Sequence, residues 1–298
     1  MNIVTKNISK NSYIESEDYI TYRVINERFI CSIVSDGNGS VGLRSPIGEY
    51  PFENMIHKRA TFVSFSTYQY SLIIINKVCE YLLNLPVHDS ISFKPLKKIY
   101  GQINYMLLKD IRDDICFCSL LTIIDRQNNR LYYCSIGDCS FSVVNLNTNR
   151  IKSKIQQKVR KITYQGNALV RIPESLTNSI SDPIIIDMGT IKLPKSYIFL
   201  LYSDGIDYDY RFPLSLAGTQ HNITENKYLN NKLDKLIKEN NSIYYTVAIK
   251  KDEILRICLD KNNNVSQIMN KILDIVENNI KENKCKKDDI SILIFKND

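Results

Sequence analysis

Several short apolar runs in this 298-residue chain end at aspartate and glycine residues. The run 31–39, CSIVSDGNG, stays apolar until it reaches Asp36 and Gly37. A β-strand that ends in this way brings a carboxylate and exposed backbone carbonyl groups to one place. Oxygen atoms of these two kinds are the ligands that Mg²⁺ and Mn²⁺ prefer in proteins. The stretch therefore has the residues with which a site for a hard divalent cation could begin.

The same stretch is also typical of a hairpin turn, because Asp-Gly and Asn-Gly are the commonest turn dipeptides. Recurrence favours the metal site over the plain turn. Three further apolar runs end at or begin from aspartates, namely 131–136 before Asp138, 197–202 before Asp204, and 290–295 after Asp288 and Asp289. If these strands are neighbours in a sheet, their carboxylates converge. The three histidines are scattered and match no spacing of zinc ligands or of a Ser-His-Asp site.

In their order along the chain, these motifs resemble those of the type-2C metal-dependent serine/threonine protein phosphatases, the PPM family. The motifs are Glu17-Asp18, DGNGS at 36–40, IGDCS at 136–140, YSDGID at 202–207 and DDISILIF at 288–295. Each is weak alone, but the ordered set is specific and covers nearly the whole chain. The DGNGS form, followed by Ser45 and Gly48, is most similar to the compact bacterial branch.

The resemblance implies roles for particular residues, with Asp36, Asp204 and Asp288 as the catalytic set. Asp36 would bridge two Mg²⁺ or Mn²⁺ ions, the Gly37 carbonyl would bind one ion, and Asp204 and Asp288 would bind the other. Asp138 corresponds to the ligand of a loosely held third ion.

Three further acidic residues correspond to positions beside the metal ions. Glu17, Asp18 and Asp289 would lie next to the ions without binding them. The implied reaction is hydrolysis of phosphoserine and phosphothreonine in proteins by a metal-activated water, without a covalent enzyme intermediate. The implied partners are a phosphorylated protein substrate and a cognate kinase.

One position departs from the family pattern. Many members have a phosphate-binding arginine four residues before the acidic pair, and this chain has Tyr13 there. Lys6 and Lys10 are candidate substitutes, and the substrate-binding residues stay open. The substitution also leaves open an alternative function, a weak or inactive pseudophosphatase that acts as a binding or regulatory module.

Composition constrains the other classes of function. The net charge of +7 comes from 39 basic and 32 acidic residues, and these are spread along the chain. We therefore expect no nucleic-acid partner, although a positive surface favours anionic substrates. No apolar stretch approaches the roughly 18 residues of a membrane span, so we expect a cytoplasmic protein without a membrane partner. Five of the eight cysteines lie in apolar runs, which favours buried, reduced thiols over disulfides.

The pattern of apolar residues predicts the elements that must position these motifs. It predicts a hairpin over 19–34, helices over 64–83, 94–110 and 265–280, the last capped by Asn264, and a final strand over 290–295. It also predicts a hairpin of 115–124 and 131–146, short strands at 168–172 and 184–186, and a helical segment at 228–238.

Pairs of helices between groups of strands, without strand–helix alternation, indicate an α+β layered sandwich. The resemblance refines this fold to two central antiparallel β-sheets flanked by pairs of antiparallel helices. No repeat or low-complexity linker divides the chain, so we predict a single phosphatase domain over 1–298.

Overall fold

A computed structural model describes most of the chain. The described residues are 2–10, 16–37, 46–49, 59–110, 115–154, 159–165, 168–173, 175–177, 186–206, 208–213, 244–282 and 288–297. Four helices lie in this part of the chain: α1 (Phe62–Leu83), α2 (Phe93–Leu108), α3 (Lys251–Leu259) and α4 (Val265–Lys281).

The strands of the described residues are, in chain order, β1 (Asn2–Ile8), β2 (Tyr19–Ile25), β3 (Phe29–Gly37), β4 (Pro46–Glu49), β5 (Arg59–Thr61), β6 (Cys116–Asp125), β7 (Arg130–Ile136), β8 (Ser140–Asn145), β9 (Arg150–Lys154), β10 (Val159–Gln165), β11 (Ala168–Pro173), β12 (Leu176–Thr177), β13 (Asp187–Lys192), β14 (Tyr197–Tyr202), β15 (Tyr208–Pro213), β16 (Tyr244–Val247) and β17 (Ile290–Asn297).

Two antiparallel sheets form the centre of the molecule. The first has the strand order β13-β7-β6-β3-β2, with the short β12 also paired to β6, and the second has the order β1-β17-β14-β8-β9. Apolar side chains of both sheets meet between them, among them Ile30, Leu120, Phe141, Phe199 and Leu293. The two sheets therefore pack face to face across a shared core.

A pair of helices covers the outer face of each sheet. The first sheet packs against α1 and α2 through residues such as Ile33, Ile74 and Ile103. The second sheet packs against α3 and α4 through residues such as Leu200 and Ile272. This four-layer α+β arrangement confirms the predicted fold class.

Local chemistry explains the elements that the sequence predicted well. Asn26 and Glu27 have φ values of 49° and 54°, so they form the left-handed turn that joins β2 to β3. Helix α4 begins after Asn264, whose side chain accepts a hydrogen bond from the Gln267 backbone N–H. The predicted helices and the final strand agree with α1, α2, α4 and β17 to within a few residues.

The predicted hairpin of 115–124 and 131–146 is wrong in its second half. The run 131–146 contains two strands, β7 and β8, which belong to different sheets. The chain changes sheet at Gly137, whose positive φ of 93° suits glycine, and at Asp138. Both strands are buried on both faces, so their apolar pattern runs on without a visible break.

The sequence also missed several peripheral elements. Residues 184 and 185 of the strand predicted at 184–186 lie outside the described residues, and the edge strand β13, Asp187–Lys192, which is partly exposed, was not predicted. The short strand predicted at 168–172 is confirmed by β11, Ala168–Pro173, whereas helix α3, strand β1, the pair β4-β5 and the other strands of the four-stranded sheet β10-β11-β15-β16 were not predicted. The segment 228–238 lies outside the described residues.

An ion pair lies at the end of the first sheet where β3 begins and β6 ends. The Arg28 guanidinium donates hydrogen bonds to both carboxylate oxygens of Asp125, at 3.3 and 3.0 Å. It also donates to the carbonyl oxygens of Pro86, Val87 and Asp89, in the connection between α1 and α2. Arg28 therefore joins this connection to the first sheet.

The seven described cysteines are all free thiols, and Cys285 lies outside the described residues. Among the residues that the structure describes, no helix has the length and apolar character needed to cross a membrane.

Candidate active site

The register of the first sheet brings three acidic segments to one edge. Asp36, near the end of β3, pairs with Cys118 of β6. The neighbouring Ser35 pairs with Tyr19, the first residue of β2, so Glu17 and Asp18 come directly before that strand. On the other side of β6, strand β7 ends at Ile136 opposite Ser119, and Asp138 follows two residues later.

The register of the second sheet brings the remaining acidic segments to the same end of the sandwich. Tyr202, the last residue of β14, pairs with Ser140 of β8 and with Ile292 of β17. Asp204 follows β14, Asp138 precedes β8, and Asp288 and Asp289 precede β17. The structure thus gathers all of the acidic motifs that the sequence singled out.

Two glycines allow the backbones at this end to approach closely. A Cβ atom on Gly37 would lie 2.6 Å from the Glu17 carbonyl oxygen and 2.8 Å from Thr67 Oγ1 of α1. A Cβ atom on Gly205 would collide with the carbonyl oxygen of Asp289. A larger residue at either position would push apart the segments that carry Asp36 and Asp204.

Ser203 fixes the Asp204 segment to the start of β17. Its backbone N–H donates to the Ser291 carbonyl oxygen at 3.0 Å, and its Oγ accepts from the Ser291 N–H at 3.0 Å. Ser203 is fully buried, so both bonds are shielded from water. These two bonds therefore hold the Asp204 segment next to the strand that Asp288 and Asp289 precede.

We call Asp18, Asp36, Asp138 and Asp204 the aspartate cluster, because their carboxyl groups act on one another. Burial raises the pKa of Asp36 most, and the charges of Asp204, Asp18 and Asp138 raise it further. A hydrogen bond between the side chains of Asp36 and Asp204 also raises the pKa of Asp36. Close carboxylates cannot all ionise cheaply, so the cluster retains protons unless a cation compensates its charge.

Asp18 is the most deeply buried member of the aspartate cluster, with 4% of its surface exposed. Burial raises its pKa, as do the charges of Asp289 and Asp204, while hydrogen bonds from Ser203 and Asp36 oppose the shift. Its Oδ2 atom is buried and accepts no hydrogen bond from the described residues. A buried carboxylate oxygen without a donor is costly, and a cation nearby would remove that cost.

Two buried thiols line the aspartate cluster, and the sequence did not identify this role. Burial raises the pKa of Cys118, and the charges of Asp138 and Asp36 add to the effect. Burial also raises the pKa of Cys139, with the Asp36 charge next in importance. Both thiols stay protonated, so they form a neutral wall rather than thiolate ligands.

A basic side chain lies beside the aspartate cluster. Lys10 Nζ is 3.4 Å from Glu17 Oε2, 3.3 Å from Asp288 Oδ1 and 3.8 Å from Asp289 Oδ2. We call these four residues the lysine group. The sequence raised Lys10 only as a candidate phosphate-binding residue, because its proximity to Asp288 depends on the pairing of β1 with β17.

Asp289 holds both ends of the segment between β1 and β2. Its Oδ1 accepts a hydrogen bond from the Lys10 backbone N–H at 2.6 Å, and its Oδ2 accepts from the Glu17 backbone N–H at 2.8 Å. Asp289 is buried, with 3% of its surface exposed. The position of Tyr13, between these two ends, lies outside the described residues.

The donor set fits a hard divalent cation. It consists of carboxylate oxygens, as Mg²⁺ and Mn²⁺ prefer, and beside it lies the buried Asp18 Oδ2, which accepts no hydrogen bond from the described residues. In the described part of the chain, no three carboxylate, thiol or imidazole side chains converge closely enough to enclose an ion. The carboxyl groups are nevertheless near enough for the charges of Asp204, Asp18 and Asp138 to raise the pKa of Asp36.

Comparison with solved structures identifies the class of protein to which this fold belongs. The chain matches a bacterial serine phosphatase with a TM-score of 0.58 and 11% identity, over 100% of this chain and 98% of that one. It matches the S. agalactiae serine/threonine phosphatase with a TM-score of 0.56 and 9% identity, over 98% of each chain. The fold is therefore that of the PP2C, or PPM, serine phosphatases.

A third match is to RsbX in complex with magnesium, with a TM-score of 0.51 and 12% identity, over 99% of this chain and 94% of that one. No family model matches the sequence, and no curated protein matches it. At these identities the likeness shows a shared fold, so the activity of this chain has to be argued from its own residues.

Proposed function

We propose that this chain is a metal-dependent protein phosphatase that hydrolyses phosphoserine and phosphothreonine. The observation that carries the proposal is the aspartate cluster, in which carboxyl groups from both sheets of a PP2C fold meet at one end of the sandwich and raise the pKa of Asp18 and Asp36. Structural carboxylates are normally paired with donors or cations. A bound divalent cation would relieve the repulsion among the carboxyl groups of the aspartate cluster.

The residues that would hold two Mg²⁺ or Mn²⁺ ions follow from the family resemblance. They are Asp36 between the ions, the Gly37 carbonyl on one ion, and Asp204 and Asp288 on the other. Asp138 would hold a weaker third ion. When bound, such ions supply Lewis acidity toward phosphate oxygens and toward a water molecule.

The other residues of the site position these ligands. Gly37 and Gly205 permit the close approach of their segments, and Ser203 ties Asp204 to β17. Cys118 and Cys139 are buried beside the aspartate cluster and add no charge to it, because burial raises the pKa of both thiols. Asp289 fixes the two ends of the segment that contains Tyr13. A rigid arrangement of this kind lowers the reorganisation needed when phosphate oxygens gain charge during hydrolysis.

We further propose that residues 1–298 form one phosphatase domain and that its substrates are phosphorylated proteins of the cytoplasm, each with a cognate kinase. The net charge of +7 favours anionic partners over neutral ones.

A second candidate is a pseudophosphatase that keeps the fold and binds a partner without turnover. Two observations favour it. Tyr13 replaces the family's phosphate-binding arginine, and the Lys10 ammonium already pairs with Asp288, one of the proposed ligands. This alternative predicts a folded protein without hydrolytic activity in the presence of metal.

Hydrolysis of p-nitrophenyl phosphate and of a phosphothreonine peptide, with Mn²⁺ and with excess EDTA, tests the proposal. We expect turnover with Mn²⁺, its loss in EDTA and its return when Mn²⁺ is restored, because oxygen-only sites bind these ions reversibly. Asp274→Asn, at an exposed position of α4, serves as a matched control that should keep full activity. Turnover that persists in EDTA would overturn metal dependence, and no turnover under any condition would favour the pseudophosphatase.

A further inference from the structure

The lysine group differs from the aspartate cluster in having its own cation. The Lys10 ammonium lies within 3.4 Å of carboxylate oxygens of both Glu17 and Asp288, and 3.8 Å from Asp289. The Glu17 and Asp289 side chains are only 4% exposed, whereas that of Asp288 is 17% exposed and that of Lys10 is 26% exposed. The ammonium therefore sits at the solvent side of three carboxylates and neutralises part of their charge.

The backbone directs the Lys10 side chain to this position. The Lys10 N–H is held by Asp289 Oδ1 at 2.6 Å, just beyond the last residue of β1, which pairs with Ile290 of β17. The base of the side chain is therefore fixed beside the start of β17. Its end is not enclosed, because a quarter of the side chain remains exposed and four rotatable bonds allow it to swing into water.

The Asp288 carboxylate cannot bind the Lys10 ammonium and a divalent ion equally well at the same time. Mg²⁺ binds oxygen at about 2.1 Å, so an ion on Asp288 Oδ1 would come close to an ammonium nitrogen that is 3.3 Å from the same atom. Two cations on one carboxylate oxygen repel each other at short range, where solvent screening is weak. This repulsion weakens the pair between Lys10 and Asp288, and the flexible ammonium can move away without unfolding the backbone.

We propose that Lys10 is a built-in counter-ion that occupies Asp288 in the metal-free protein and must be displaced when a divalent ion binds, so that Lys10 sets the metal affinity of the site. This inference rests on the proposed function, because it takes Asp288 as a metal ligand. Lys10 is a positioning residue in this scheme. It stabilises the empty site and weakens the binding of metal, which makes occupancy depend on the concentration of the divalent ion.

Calorimetric titration of the metal-free full chain with MnCl₂ tests the inference without reference to activity. Lys10→Met keeps the length of the side chain and removes its charge. We expect this variant to bind Mn²⁺ about tenfold more tightly than the wild type, which is at the low end of the changes in affinity caused by substitutions next to metal ligands. Lys10→Arg keeps the charge and should bind within about twofold of the wild type. Lys6→Met, four residues or about 13 Å earlier on β1, removes the same charge from an exposed position and should also change binding little.

Thermal unfolding supplies a second readout. Lys10→Met should unfold at a lower temperature than the wild type in EDTA, because three carboxylates lose their counter-ion, and saturating Mn²⁺ should raise its unfolding temperature by more than it raises that of the wild type. Equal or weaker Mn²⁺ binding by Lys10→Met would overturn the role of Lys10 and leave the proposed function standing. Failure of every variant and of the wild type to bind Mn²⁺ would overturn both.

Discussion

The two ends of strands β3 and β6 carry buried carboxyl groups in opposite electrostatic states. At one end, burial alone would raise the pKa of Asp125, but hydrogen bonds from Arg28 and Asn128 outweigh burial and leave the pKa lowered. At the other end, burial and neighbouring aspartates leave the pKa of Asp36 raised. The strands and the residue type are shared, and burial raises the pKa at both ends, so the difference lies in the neighbours: hydrogen-bond donors and a guanidinium around Asp125, other carboxyl groups around Asp36.

This contrast separates a structural carboxylate from one prepared for a ligand. Asp125 accepts bonds from the Arg28 side chain, from the Gln127 and Asn128 backbone and from the Asn128 amide. Its charge is satisfied within the protein. Asp36 and Asp18 have other carboxyls among the neighbours that shift their pKa most. Under the proposed function, a divalent cation would compensate their charge.

Removing a carboxylate from the aspartate cluster should have the largest effect on function. Asp36→Asn should lower turnover by more than about 100-fold, beyond the usual loss for residues next to metal ligands, because Asp36 is the proposed bridge between two ions. The same change should leave the metal-free protein equally stable or about 1 kcal/mol more stable, since it relieves repulsion. Steady-state kinetics and urea unfolding measure the two effects, and a loss of only a few-fold would contradict the assignment of Asp36 as a ligand.

Removing the Arg28 guanidinium at the opposite end of β3 and β6 should have the opposite effects, a large loss of stability and little change in turnover. Arg28→Ala leaves the fully buried Asp125 carboxylate without its partner and should lower the free energy of unfolding by about 3 kcal/mol. Turnover per folded molecule should change little, because Arg28 lies at the far end of the strands. Arg23→Ala, at an exposed position of β2, is the matched control and should cost less than about 0.5 kcal/mol in urea unfolding. A stable Arg28→Ala protein would show that Asp125 is not satisfied by this pair.

Asp138 tests how far the aspartate cluster extends. Asp138→Ala should lower turnover by about tenfold while the stoichiometry of tightly bound Mn²⁺ stays as in the wild type, because we assign Asp138 to a weakly held third ion. Equilibrium dialysis measures the stoichiometry, and kinetics at several Mn²⁺ concentrations measure the turnover. Unchanged turnover would contradict the assignment of Asp138 as a metal ligand and leave it only a structural role in the connection between β7 and β8.

The carboxyl groups at the two ends of β3 and β6 should also make the free energy of unfolding depend on pH in different ways. We expect this effect to be smaller than the effects of the substitutions above. The pKa values of Asp18 and Asp36 are raised in the folded protein, so above about pH 4, the unfolded value, the folded chain keeps protons that the unfolded chain has released. The free energy of unfolding in EDTA should therefore fall as the pH rises from about 4 toward the folded pKa values. The stability from Asp125, whose pKa is lowered, is fully present above about pH 4 and is lost only at lower pH.

Unfolding temperatures in EDTA between pH 5 and pH 8 measure this difference. Asp18→Asn should flatten the decline of stability with pH, and Asp125→Asn should lower stability without changing that decline. Saturating Mn²⁺ should remove the decline in the wild type, because a bound cation favours the ionised form. A decline that Asp18→Asn leaves unchanged would locate its cause elsewhere in the chain.

The acidic motifs and the central elements were predictable because their signals are local. The residues Ser203-Asp204-Gly205 indicate both the end of a strand and the position of a carboxylate, and Asn264 indicates the start of α4. The break between β7 and β8 was not predictable, because strands buried on both faces have no alternating pattern and their change of sheet depends on packing. Edge elements such as β1 and β13 have weak patterns, since part of each strand faces solvent.

Residue types and hydrophobic patterns are properties of short segments, so the sequence was enough to predict which residues could bind a cation, in which order they occur and that each lies at a strand end. Only the tertiary structure decided that these ends share one end of a two-sheet sandwich, that Cys118 and Cys139 line it, and that Lys10 pairs with Asp288 across 278 residues of chain. Such contacts depend on strand order and register, which are set by packing among distant segments. The opposite pKa shifts of Asp36 and Asp125 follow from such contacts, so they too depend on the fold.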